Sequence, residues 1–265
     1  MHPSTTNCPL NWYMTKILYY DIETAPNLAY VWGQYQQDVI EHEREWYIMC
    51  VSYRWEHQKR TKVCSLIDFP KEYEKDPEND YHVVKKLWDL IDEADIVIAH
   101  NGDKFDMRKA NARFIKHGLG PPSSVKSVDT LKVARRYFMF NSNRLNAVGK
   151  HLGLGEKVQT GGFQLWAGCM RGNMKSWKTM IKYARQDVDL LRDVYLALRP
   201  WMTNHPNLNI YSKEHACPTC GSYNLQRRGV RTTKVSVYQA WQCNDCRSYS
   251  RSRLAEKTEK PSIVP

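Results

Sequence analysis

The chain has 265 residues, 42% hydrophobic and 25% charged, with a formal net charge of +11. That length admits one sizeable domain and one small one. No apolar stretch reaches a membrane span, and residues 1–16 lack a basic-then-apolar export signal, so neither insertion nor secretion is indicated, while the basic excess suggests a polyanionic partner.

Residues 1–13 read as a loose tail. Residues 17–22 are apolar and β-prone, which predicts a central strand, with Pro26 closing that region. Residues 47–55 and 62–67 predict two more strands, joined by the polar turn 56–60. Residues 70–80, rich in Pro, Asp, Glu and Lys, read as a solvated loop. Val83, Val84, Leu87, Trp88, Leu90 and Ile91 recur at helical spacing. A short buried strand follows at 96–99, then a helix at 105–117 stopped by Gly118. Another strand is expected at 125–130, helices at 131–138 and 143–152, and a loop at 154–173 carrying Gly161, Gly162 and Trp166. Residues 174–198 predict a long amphipathic helix closed by Pro200. This order predicts an α/β domain, a mixed central sheet flanked by helices, over 14–211. The polar stretch 203–212 marks its boundary, followed by a small domain at 212–256 and a tail at 257–265.

Three separated segments put acidic residues where a globular fold has little reason for them. They are Asp21-Ile22-Glu23-Thr24, Asn101-Gly102-Asp103-Lys104-Phe105-Asp106 and Tyr183-Ala184-Arg185-Gln186-Asp187. Asp21 and Glu23, two apart on a strand, project from one face. Tyr183 and Asp187, four apart, share a helix face. Asp103 and Asp129 compete with Asp106 for the middle position, while Asp189 and Asp193 read as solvated. Gathered carboxylates repel one another unless a cation joins them. Mg²⁺ and Mn²⁺ prefer such oxygens, and two of these ions about 3.5–4 Å apart equip a site for phosphodiester hydrolysis. Singly, each segment has an ordinary reading: a strand end, a helix N-cap, a surface pair.

In this order and at these intervals the segments resemble the DEDD 3′–5′ exonucleases in their tyrosine variant. The histidine variant would need His where Lys182 stands. The resemblance spans residues 16–198 and includes Val128-Asp129-Thr130-Leu131 and Leu145-Asn146-Ala147-Val148-Gly149-Lys150. It extends to short phage-encoded members with a cysteine-rich tail. It implies a ribonuclease-H-like fold, two Mg²⁺ or Mn²⁺ ions, and hydrolysis from the 3′ end of nucleic acid; as substrate, single-stranded DNA or a 3′ end is favoured, with RNA and a duplex end left open. By the same resemblance Asp21, Glu23 and Asp187 would hold one ion. Asp21 would also touch the second, with Asp106 acting through water. Tyr183 would orient the attacking water, because an ordinary phenol pKa of about 10 makes a poor base at neutral pH. Asn101 and Phe105 would support the motif, and Lys104 would reach a phosphate. Trp166 would stack a terminal base or pack on the surface.

Cys217, Cys220, Cys243 and Cys246 form two Cys-x-x-Cys pairs separated by 22 residues. Four thiolates make a closed tetrahedral zinc site, and the pattern resembles zinc ribbons. A segment this small cannot bury enough apolar surface alone, so one structural Zn²⁺ is expected to hold it folded. Cys8, Cys50, Cys64 and Cys169 are scattered, which reads as reduced thiols in a cytoplasm, the host's if the chain is phage-encoded. From Ser212 onward ten Lys and Arg face four Asp and Glu, a net of +6. Around a β-prone run at 232–241, Arg227, Arg228, Arg231 and Lys234 lie on the hairpin side, and Arg247, Arg251 and Arg253 follow the last pair. Tyr223, Tyr238, Trp241 and Tyr249 are interleaved, a mixture suited to phosphates and stacked bases. The alternative is a structural ribbon or a module that docks a replication or repair protein. The expected function is a metal-dependent 3′–5′ exonuclease whose ribbon grips nucleic acid. An inactive binding protein on the same fold and a ribonuclease-H-like endonuclease or strand-transfer enzyme are the alternatives. Oligomeric state stays open.

Overall fold

The structure, a computed structural model, describes residues 15–33, 35, 38–155, 160–211 and 215–256; the two expected tails lie outside these. The chain divides into two compact units, Lys16–Leu196 and the part from Ala197 onward.

The first unit is built on a five-stranded sheet in the order β5-β4-β1-β6-β7. Its strands are β1 (Ile17–Thr24), β4 (Ile48–Trp55), β5 (Lys62–Ser65), β6 (Ile96–Ala99) and β7 (Lys126–Asp129). β1 runs antiparallel to β4 and parallel to β6, and β7 is parallel to β6, so the sheet is mixed as expected. β1 takes the centre because Ile17, Leu18, Tyr19 and Tyr20 are apolar on both faces and all are buried. α2 (Tyr81–Glu93) buries Val83, Val84, Leu87, Leu90 and Ile91 as one stripe. Each such side chain contributes about 1.5–3 kcal/mol by leaving water. α3 (Asp106–Lys116), α4 (Thr130–Tyr137) and α5 (Leu145–His151) follow, and the 25-residue α7 (Met174–Leu198) closes the unit. Gly149 of α5 packs closely on α7, because a Cβ there would meet the Leu190 side chain, which would have to shift.

Three elements depart from expectation. Residues 70–80 are not all loop: Pro70–Lys75 form a helical turn, α1, with Pro70 in its opening turn, where a missing N–H costs nothing. Asp80, at the end of that stretch, is fully buried. It accepts from Ile48 N (2.9 Å), from His117 Nε2 (2.6 Å) and from Arg113. The loop at 154–173 contains α6 (Phe163–Met170), whose Leu165, Ala167 and Cys169 are buried. A hairpin, β2 (Leu28–Tyr30) with β3 (Glu41–Arg44), extends the β1–β4 pair beyond Pro26. Its strands are short and exposed, so they carry neither the alternation nor the apolar run that marks a strand.

The second unit holds a three-stranded sheet, β10-β9-β8, formed by β8 (Leu225–Thr232), β9 (Val237–Cys243) and β10 (Tyr249–Arg251). The β-prone run at 232–241 is therefore interrupted by a turn, with β8 lying mainly before it. Gly229, at φ +71°, sits in the irregularity between Arg227 and Val230. Among the described residues no helix is long and apolar enough to cross a membrane.

Candidate functional site

The site begins where β6 runs out. β6 pairs with Ile17, Leu18 and Tyr19 only, leaving the far end of β1 uncovered on that edge. The chain turns away at Asn101, held at φ +67°, a conformation that Asn tolerates better than most residues. Gly102 follows because a Cβ there would collide with the Ala99 side chain. The Asn101 carbonyl accepts from Lys104 N (3.2 Å) and Phe105 N (3.0 Å), tightening the turn into α3. This turn delivers Asp106, whose Oδ1 accepts the N–H of Ile22 at 3.1 Å, a donor beyond the reach of β6.

Asp106 therefore lies between the two acidic residues of β1 in sequence register and is 2% exposed. Burial pushes its carboxyl up to about 6, against the pull of the Ile22 N–H and with a further push from Asp129. It is the first residue of α3, and the N-cap position belongs to Phe105.

α7 supplies the other wall. Tyr19 and Tyr195 meet edge to face with ring centroids 5.6 Å apart, which fixes α7 along β1. Asp187 lies eight residues back from Tyr195, about 12 Å of helix. Glu23 lies four residues on from Tyr19, about 13 Å of strand. The two lengths match, and Asp21, Glu23 and Asp187 each offer an oxygen within 4.8 Å of the others. Asp187 is buried and accepts a hydrogen bond from the Tyr183 hydroxyl. Burial first, and then the Asp187 charge, hold the Tyr183 phenol far above its ordinary pKa, so it is protonated at neutral pH.

Three of the four predicted carboxylates thus form the cluster, and the fourth is anchored beside them on the backbone of Ile22. The rivals are engaged in other work. Asp129 caps α4 through Leu131 N (3.0 Å) and also accepts from Asn101 N (2.9 Å). Asp103 accepts from Ser127 Oγ and Lys132 Nζ, both at 2.5 Å. Asp189 keeps its side chain 43% exposed, as expected of a solvated face, and is also bonded: it accepts from Arg54 (3.1 Å) and Thr61 (2.5 Å), tying α7 to the sheet side.

Two recesses are lined by residues of the site's own segments, Thr24 in one and Asn101 in the other. One, of about 410 Å³, is lined by Thr24, Asn27, Trp46, Lys109, Phe163 and Trp166, among others. Trp166 belongs to it from a helix, with its ring 6.0 Å from that of Tyr183. The other, of about 730 Å³, includes Asn101, Arg135, Ser142, Asn143 and Arg144. Lys104 is exposed, and Phe105 is 40% exposed. Sequence reasoning missed Lys109 and Trp46. Lys109 could have been found, since it stands one helical turn from Asp106; nothing local singles out Trp46.

In the second unit Cys217, Cys220, Cys243 and Cys246 place their sulfurs within 4.8 Å of one another. Cys217 to Cys246 and Cys220 to Cys243 are both 3.6 Å. A disulfide would require about 2.05 Å. A tetrahedron with metal–sulfur bonds of 2.3 Å has edges of about 3.8 Å, so the spacing suits one ion. The two Cys-x-x-Cys turns are alike. Cys217 O accepts from Gly221 N (2.8 Å) and Cys243 O from Arg247 N (3.0 Å), and both donors have positive φ. The basic residues lie on the hairpin: Arg227 over Trp241 (5.6 Å), Arg228 Nε bonded to Gln242 Oε1 (2.9 Å), Arg231 and Lys234 exposed.

The sequence profile of the RNase H superfamily matches residues 18–199. The chain belongs to the RNase H superfamily. Over 93 residues it is 32% identical to a DNA polymerase III PolC-type of Ureaplasma parvum serovar 3, a stretch covering 35% of this chain and 6% of that polymerase. The family B DNA polymerase from the hyperthermophilic archaeon Pyrobaculum calidifontis superimposes on 84% of the chain and 32% of its own length, at 13% identity and a TM-score of 0.47. The chain therefore corresponds to a small part of the length of either polymerase. In RNase H superfamily terms, the acidic cluster sits on the central strand and the last helix of the matched region, and the cysteine cluster lies outside it.

Proposed function

We propose that this protein is a metal-dependent 3′–5′ exonuclease acting on single-stranded DNA ends, with a zinc ribbon that adds grip on nucleic acid. Membership of the RNase H superfamily and likeness to a DNA polymerase support a nuclease. The observation that carries the finer reading is the trio Asp21, Glu23 and Asp187 within 4.8 Å, with the Tyr183 hydroxyl bonded to Asp187.

Three carboxylates this close fit Mg²⁺ or Mn²⁺ by donor type and by charge. When bound, two such ions supply a nucleophile at neutral pH and neutralise charge on the phosphate. Asp21, Glu23 and Asp187 would hold the first ion, and Asp21, helped by Asp106, the second. Tyr183 cannot accept a proton at neutral pH, because its phenol keeps its own. It fixes the Asp187 carboxylate and positions the attacking water. Trp166 would stack the terminal base. Arg135 and Arg144, in the larger recess, would line the path of the preceding nucleotides. The four cysteines would hold one Zn²⁺ in a closed site that leaves no position for substrate.

The test is digestion of 5′-labelled and 3′-labelled single strands with Mg²⁺ or Mn²⁺. Stepwise shortening from the 3′ end is expected. Internal cuts would assign an endonuclease, and binding without cleavage an inactive member of the fold.

A further inference from the structure

The exonuclease reading uses Trp166 of the smaller recess and leaves Lys109, which also lines it, without a role. The recess walls include Trp46, Phe163 and Trp166, and among the described residues the only charged side chain lining it is that of Lys109. At about 410 Å³ it falls in the range of small-ligand pockets, roughly 300–1,000 Å³. The Lys109 ammonium lies 3.8 Å from the Trp46 ring centroid and 5.2 Å from that of Phe105. Two aromatic faces so placed hold a cation in position. Among the described residues no carboxylate lies within ion-pair distance of Lys109. Partial burial lowers its pKa, which reflects the water it has lost. A flat heterocycle entering between the rings would bring its polar edge to this ammonium.

An ammonium offers donors and no acceptor. Guanine presents two acceptors, O6 and N7, and thymine presents O4. At the corresponding edge cytosine presents an amino group, and adenine an amino group beside N7. An ammonium set against position 6 of a purine or position 4 of a pyrimidine thus meets an acceptor in the keto bases and a donor in the amino bases. We propose that this recess receives the 3′-terminal base and that Lys109 selects keto bases, guanine and thymine, over adenine and cytosine. The proposal rests on the exonuclease reading for its position in the reaction, and on the recess alone for its choice of base.

The experiment uses the full chain with Mg²⁺ and four 5′-labelled single strands that differ only in the 3′ nucleotide. Removal of dG and dT about tenfold faster than dA and dC is expected, at the lower end of what a base-edge contact supplies. Lys109→Met and Lys109→Gln should both collapse that ratio towards one. A second arm measures binding of the free nucleotides dGMP and dAMP with Ca²⁺ in place of Mg²⁺, read by tryptophan fluorescence. dGMP should bind about tenfold tighter, and Lys109→Met should abolish the difference. Wild-type cleavage with no keto preference, or a Lys109→Met variant slowed equally on all four ends, overturns the choice of base while leaving the exonuclease intact. No cleavage but a Lys109-dependent preference for dGMP upholds the pocket and removes the exonuclease reading. Neither cleavage nor nucleotide binding removes both.

Discussion

The molecule carries two ligand clusters of the same sign of charge, and they relate to their surroundings in opposite ways. The acidic trio sits on a unit with a large apolar core: Leu18, Tyr20, Ile48, Met49, Val51, Leu87, Ile91 and Trp177 are all within 1% of full burial. That core holds Asp21, Glu23 and Asp187 together against their repulsion. The cysteines have no such support. Among the described residues, their apolar cluster consists of Cys217, Cys243 and Cys246, with Cys220 and Leu225 packed against it. In the first unit the fold presents a site to an ion. In the second the site is the core.

If the four cysteines hold zinc as proposed, the largest effect should come from removing it. Structural zinc contributes about 10–16 kcal/mol in small zinc-folded domains. Chelation should expose the amides of β8, β9 and β10 to hydrogen exchange and leave those of β1, β4 and β6 protected. Equal loss of protection in both units would break the comparison, because the first would then depend on a metal too. Next in size are Asp21→Ala and Asp187→Ala. Losing a ligand of the acidic trio should cost about 4 kcal/mol of transition-state stabilisation, or about three orders of magnitude in rate. The far-ultraviolet circular dichroism and the ribbon's zinc content should not change. Cleavage by either variant at the wild-type rate would remove these residues from the mechanism.

How much of this was legible depended on whether a residue's partner was local. β1, β4 and β6 were readable because burial on both faces leaves an apolar run, and α2 and α7 because burial of one face leaves a helical period. The cysteine pairs were readable because both ligands of each pair lie within one turn. Asp80 was not: its partners, Ile48, Arg113 and His117, are all distant in sequence, so a buried carboxylate looked like part of a solvated loop. The bonds of Asp189 were hidden for the same reason, its partners Arg54 and Thr61 lying on the sheet side. α1 and α6 were hidden by their flanks, Pro-rich in one case and Gly-rich in the other. The convergence of Asp187 on β1 followed from the order of the motifs. The separate anchoring of Asp106 did not, because a backbone N–H left over at the end of β6 has no signature in side-chain pattern.

That anchoring predicts a smaller effect of unusual sign. Above pH 6 the metal-free protein must ionise a buried carboxyl. The Asp106 pKa is raised from 3.8 to about 6 in the folded state. Between about pH 4 and 6 the folded chain therefore binds more protons than the unfolded one, and its stability falls as pH rises through that window. Asp106→Asn keeps the oxygen that accepts from Ile22 and removes the charge. In buffer free of Mg²⁺ and Mn²⁺, with zinc retained, the variant should gain about 1–3 kcal/mol above pH 6 and nothing below pH 4. Thermal melts across that range check it. A loss of stability at pH 7 would show that the carboxylate is a structural group and not a site held in tension.

The smallest expected effect belongs to the ribbon, and it separates grip from chemistry. Arg231 and Lys234 are exposed at the turn end of the hairpin, whereas Arg228 is bonded to Gln242 and Arg227 covers Trp241. If the ribbon holds single-stranded nucleic acid through phosphates, each exposed cation removed should flatten the plot of log affinity against log salt by about 0.7. Replacing both with Ala should thus lower the slope by about 1.4 and weaken binding a few-fold at moderate salt. The rate at saturating substrate should stay the same, because neither residue belongs to the unit that carries the carboxylates. An unchanged slope would make the ribbon a structural module or assign it some other partner. A changed slope together with a lower saturated rate would mean that the ribbon also feeds the strand to the acidic trio, and the two clusters would then act as one machine.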